Sequence, residues 1–193
     1  MSASKEMNKD SASGPFDQLK LFADLLPKDP RFGCGPSLIP MERLLTLYHT
    51  GPHLLGTSHR HSAIRNLVAE SIEGLRTFFH LPKEYDVVLG NGGATFLFDM
   101  LPLSLVEKKS VHFTCGEFSQ KWYLSSKKIP WIEAQEISVP AGQGITPHWV
   151  EGADFMATTL NETSTGVQLD RLPGKRPGAL LAVDATSGGG QIA

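Results

Sequence analysis

Apolar and polar positions follow a helical period early in the chain, then alternate between short apolar runs and helical stretches. Ile64, Leu67, Val68, Ile72, Leu75, Phe78 and Phe79 recur three or four residues apart, which predicts a helix ended by Pro82. Ahead of it, MERLLTLYHT (41–50) reads as a shorter helix, opened by Pro40 and stopped at Gly51-Pro52. Beyond Pro82 the run from Tyr85 to Leu89 reads as a strand, closed by Gly90-Asn91-Gly92-Gly93, and a helix is predicted from about Ala94. SVHFT (110–114) follows as a strand and EFSQKWYLSSKK (117–128) as a helix. WIEAQEISV (131–139) and DFMATTL (154–160) read as strands, and ALLAVDATSGGG (179–190) as a buried strand entering a glycine-rich turn. Strands alternating with helices predict an α/β domain with a mostly parallel sheet.

The polar residues 1–15 are expected to be a flexible tail, and residues 16–193 one domain that is cut open after its last strand. Gly and Pro in RFGCGPSLIP (31–40) predict an irregular entry loop. With 40% hydrophobic and 20% charged residues the composition is that of an ordinary globular domain. A net charge of -2 offers no basic field for nucleic acid. The longest apolar stretch, Phe96 to Val106, is broken by Asp99 and Pro102, so no membrane span is expected. The start lacks the apolar centre of a secretory signal, which makes a cytoplasmic location the expectation. Cys34 and Cys115 form no metal or disulfide spacing, and His53, His59 and His61 have no acidic or thiol neighbour in sequence. No metal is expected.

Several residues carry candidate chemistry, each with a plainer alternative. In NGGAT (91–95) a strand meets a helix through glycines, so free N–H groups and the Thr95 hydroxyl can face an anion. The same glycines also suit a tight turn with no ligand. Asp184 closes a buried strand at the carboxyl edge of the sheet, where it faces a ligand or simply caps the TSGGG turn. Phe118 is either a stacking surface for a planar ligand or a core aromatic. Asn161, Glu162 and Thr163 place polar side chains at that edge, or make an ordinary capped turn. Arg60, beside Ser58 and His59, suits a phosphate or carboxylate, or is a solvated loop charge.

Taken in chain order, FGCGPS, GTSHR, YDVVLGNGGAT, GEFS, NETSTG and VDATSGGG resemble the phosphoserine aminotransferases, pyridoxal-phosphate (PLP) enzymes of fold type I and class V. The likeness runs from about Arg31 to the C-terminus. It implies the large PLP-binding domain of that fold, with Ala94 and Thr95 on the cofactor phosphate and Phe118 stacked on its ring. It further implies Thr163 near the phenolate oxygen, Asp184 on the ring nitrogen, and Arg60 helped by His59 on the substrate carboxylate or phosphate. The implied reaction converts 3-phosphohydroxypyruvate and L-glutamate into O-phospho-L-serine and 2-oxoglutarate, in L-serine biosynthesis, by a homodimer when full-length.

Three positions depart from the resemblance. Many relatives carry Arg where Thr95 stands and Trp where Phe118 stands, as one bacterial branch of the family does not. The family's Schiff-base lysine lies about two dozen residues beyond the strand-end acid, whereas this chain ends nine residues after Asp184. Lys175 lies before the last strand, in the turn RLPGKRPG. The resemblance therefore implies an incomplete form that lacks its catalytic lysine and its small C-terminal domain, and that is inactive alone. The alternatives are a non-catalytic homologue acting as a binding or partner module, or another class V aminotransferase. A nucleotide-binding oxidoreductase is disfavoured because NGGATF is not GxGxxG.

Overall fold

Two of the predicted strands bury nearly every residue, and this decides the architecture. β1 (Lys109–Thr114) and β3 (Phe155–Thr159) lie side by side, flanked by β2 (Glu133–Ser138) and β6 (Leu180–Asp184) in the parallel order β2-β1-β3-β6. This computed structural model describes residues 38–190. The expected tail, Cys34 and most of the entry loop lie outside the described residues. From Met41 onward the described residues belong to one compact unit.

Strand alternation splits the core into two layers. Phe155 and Ala157 pack with Phe98, Trp122 and Ile129 on the face covered by helices α3 (Ala94–Leu105) and α4 (Glu117–Lys127). Val111, Phe113 and Met156 point the other way, toward Ile145, Trp149 and Val150. Burying a side chain of the size of Phe113 or Met156 contributes about 2 kcal/mol. Phe98 and Trp122 stack across the two helices, with centroids 4.9 Å apart.

The helical face of β1 also buries His112, whose Nε2 lies 3.2 Å from the Ser110 hydroxyl. Burial holds its imidazole at a pKa of about 4, so it is neutral at pH 7. Its Nδ1, the Trp122 Nε1 and the Ser126 Oγ are buried without a partner among the described residues.

Two expectations need correction. The stretch 85–89 forms no strand: it has no ladder partner among the described residues, and Val88 is 87% exposed. A lone extended segment gains neither cross-strand hydrogen bonds nor a packed face. Helix α1 (Met41–Leu54) does not stop at Gly51-Pro52 but runs through Pro52. A proline in the last turn removes a single intrahelical bond, and the Leu55 amide still reaches the Gly51 carbonyl at 2.7 Å. Helix α2 (Ser62–Phe78) forms where its periodicity predicts, and His61 accepts from the Ala63 amide at its start. A short hairpin of β4 (Asn161–Glu162) and β5 (Val167–Gln168) went unpredicted. No helix among the described residues is long and apolar enough to cross a membrane.

Candidate functional site

In the sheet, β1 leads through α4 to β2 on one side, while β3 leads to β6 on the other. Neighbouring parallel strands whose connections part in this way leave a crevice at their carboxyl ends. A cavity of about 170 Å³ lies at this edge, and Ala94, Thr95, Phe118, Thr163 and Asp184 all line it. It adjoins a more apolar cavity of about 230 Å³, with which it shares Ala94, Phe98, Asp184 and Thr186.

One wall is the start of α3. Gly92 has φ 93, a left-handed conformation that glycine adopts without strain. Gly93 is the residue before the helix and supplies no side-chain cap. The first turn therefore keeps N–H groups that no capping side chain has taken, with the Thr95 hydroxyl exposed beside them.

The start of α4 is built differently. The Glu162 side chain is fully buried, and its carboxylate accepts from the Phe118 amide (3.2 Å), the Ser119 amide (2.9 Å) and the Ser119 hydroxyl (2.7 Å). The Ser164 hydroxyl donates to the same carboxylate at 2.6 Å and accepts from the Glu117 amide at 2.9 Å. Burial pushes the Glu162 pKa up, but the hydrogen bonds from Ser164, Ser119 and Phe118 outweigh it and hold it below the usual carboxylate value. Burial and the Glu162 charge push the neighbouring Cys115 thiol up, which keeps it protonated and unreactive. A Cβ on Gly116 would sit 2.5 Å from Glu162 Cγ and 2.6 Å from Ser164 Oγ, so this close seat admits only glycine.

Opposite these helices, Asp184 ends β6, and its Oδ1 accepts from the Thr186 amide at 2.9 Å and from the Thr186 hydroxyl. The acid thus caps its own turn and also lines the cavity. Thr163 donates to Ser187 Oγ at 2.8 Å, and Asn161 Nδ2 reaches the same oxygen at 2.9 Å. These bonds tie the turn after β6 to the hairpin after β3. Phe118 is 37% exposed, with Lys121 Nζ 5.2 Å from its ring centre, so it is no core aromatic.

His59 and Arg60 are exposed in the loop before α2, where the Arg60 amide donates to Ser58 Oγ at 3.2 Å, and neither lines this cavity. The sequence reading missed the lining role of Phe98 and Ser187 and the burial of Glu162. A serine in a glycine-rich turn carries no signal of its own. For Glu162 a signal existed, since strand alternation turns 162 away from the face shared by 161 and 163. The lining offers an aromatic face, hydroxyls, an uncapped helix start and a carboxylate, a donor set that fits a planar, anionic ligand with a basic ring nitrogen. No lysine lines it among the described residues.

No family model matches the chain. Among curated relatives, it is 42% identical over 172 residues to phosphoserine aminotransferase from Corynebacterium glutamicum (strain R), a match covering 88% of this chain and 46% of that protein. The chain spans about half the length of the curated relatives it matches. Among solved structures it resembles the phosphoserine aminotransferase of Cytophaga hutchinsonii, with TM-score 0.65 and 26% identity over 75% of this chain and 41% of that one. The crystal structure of the PLP-bound enzyme from Trichomonas vaginalis has TM-score 0.67 at 23% identity, covering 79% of this chain and 49% of that chain. The α/β fold with its parallel sheet is that of these aminotransferases.

Proposed function

Taking the chain as a relative of the phosphoserine aminotransferases over the stretch it shares with them, we propose that it forms the PLP-binding part of a phosphoserine transaminase. The substrates would be 3-phosphohydroxypyruvate and L-glutamate. The observation that carries this reading is the convergence of Ala94, Thr95, Phe118, Thr163 and Asp184, from four separate segments, on one cavity. PLP, when bound, supplies an electron sink for labilising bonds at the substrate's α-carbon.

The chain's own residues would do the holding. The first N–H groups of α3 and the Thr95 hydroxyl would take the phosphate, where the helix dipole favours negative charge. Phe118 would cover one face of the ring. Thr163 would turn its hydroxyl proton from Ser187 Oγ to the phenolate oxygen. Asp184, already ordered by Thr186, would hold a proton on the ring nitrogen. Arg60, with His59, would bind the substrate carboxylate or phosphate through its planar guanidinium. The 193 residues by themselves are expected to hold the cofactor weakly and not to turn over, which the absence of a lysine from the described lining supports. A homodimer and a cytoplasmic setting belong to the same proposal.

The test is to express the 193-residue chain beside the full product of its gene and titrate each with PLP. Absorbance at about 410–420 nm, before and after borohydride, reports cofactor joined to a lysine. The expected result is a reducible band, and transamination of phosphoserine with 2-oxoglutarate, for the full product alone. Turnover by the 193-residue chain would overturn its reading as a partial site. A full product that binds no PLP would overturn the function itself.

A further inference from the structure

We infer that Glu162 is a positioning residue for Phe118: its carboxylate fixes the first turn of α4 and so sets where the Phe118 ring stands over the cavity. This rests on the reading of that cavity as a PLP site.

The Phe118 ring is exposed at its outer side, so packing alone does not fix it. What is fixed is its backbone. The amides of Glu117, Phe118 and Ser119 all bond to the turn at 162–164, the first to Ser164 Oγ and the other two to the Glu162 carboxylate. Every group facing that carboxylate is a donor, which an ionised acid satisfies with both oxygens and an amide side chain cannot. The segment from 161 to 164 also faces the cavity on its other side. Asn161 and Thr163 line the cavity while Glu162 points away from it into α4. One stretch of backbone therefore sets the spacing between the Thr163 hydroxyl and the Phe118 ring, the two groups that would contact the ring edge and the ring face.

The test uses the full gene product and 4-deoxypyridoxine 5'-phosphate, which keeps the ring and phosphate but cannot join a lysine. Its binding is measured by calorimetry for the parent, Glu162→Gln, Phe118→Ala and the double variant. Each single change is expected to weaken binding about tenfold. The double variant is expected to match Phe118→Ala within about twofold, because Glu162 acts through that ring. Losses that multiply to about a hundredfold would overturn the inference. So would a Glu162→Gln protein that melts earlier but binds as the parent does. If circular dichroism finds Glu162→Gln unfolded, Ser164→Ala replaces it, with about a threefold loss expected that vanishes beside Phe118→Ala. A parent that does not bind the analogue removes the PLP reading and this inference with it. Normal parent binding with additive losses removes the inference alone.

Discussion

Helices α3 and α4 both begin at the same cavity, and they treat their free amides in opposite ways. α3 starts at Gly93 with no side-chain cap. α4 starts with three amides bound to Glu162 and Ser164. Both N-termini favour negative charge for the same reason, the aligned peptide dipoles and the unpaired N–H groups. In α4 the anion is built into the chain as Glu162. In α3 no side chain takes that position, which in the proposed function is left for the cofactor phosphate. A helix start with its own buried carboxylate is a fixed mount, and in the proposed function the one without is the receptor.

The largest expected effect comes from acid, acting through His112 and Glu162 on the α4 side. His112, packed behind α4, is neutral when folded, with a pKa of about 4 against 6.5 when unfolded. Between these values the unfolded chain binds more protons, so stability falls as pH drops from 6.5 to about 4 and then levels for this group. The shift corresponds to about 3 kcal/mol. Glu162, held below the usual value, adds a further loss as pH falls through its folded pKa. Urea unfolding across this range, repeated with His112→Leu, checks it, since an identical slope in the variant would remove His112 from the account.

Next in size is Gly116→Ala, which drives a methyl against Glu162 and Ser164. It is expected to cost about 2 kcal/mol in urea unfolding. A cost near zero would mean that the α4 mount is looser than its distances indicate.

Giving α3 its own anion erases the contrast between the two helices. Gly93→Asp, at a backbone of φ -99 that any residue adopts, should cap the helix without loss of stability. Affinity for the PLP analogue should fall about tenfold, because the new carboxylate occupies the phosphate's place. Unchanged affinity would place the phosphate elsewhere. The smallest effect is expected for Thr95→Ala, which removes one hydroxyl and leaves the amides, with about a threefold loss of affinity by the same calorimetry.

Much of this arrangement was legible in the residues. The alternation of periods predicted the helices and the parallel sheet, and the motifs in chain order singled out Ala94, Thr95, Phe118, Thr163 and Asp184 through the family they resemble, although each residue alone had a plainer alternative. Other features were not legible, for identifiable reasons. Helix α2 has the clearest apolar stripe, yet none of its residues is buried, whereas α4, with 11 residues and a weaker pattern, buries Ser119, Trp122, Tyr123 and Ser126. Periodicity reports which face a helix can bury, not what stands opposite that face. The stretch 85–89 reads as a strand and forms none, because a strand needs a neighbour's backbone as well as its own residues.

The sequence by itself determined the local terms: where helices start, which strands alternate, where glycine permits a turn, and which chemistries stand at the turns. Strand alternation sets Glu162 opposite Asn161 and Thr163, but tertiary structure alone decided that α4 stands on its side and the cavity on theirs. Its donors on α4, Phe118 and Ser119, lie more than 40 residues away along the chain. No local pattern specifies such a partner. It exists only once parallel pairing of β1 with β3 has brought their two carboxyl ends together.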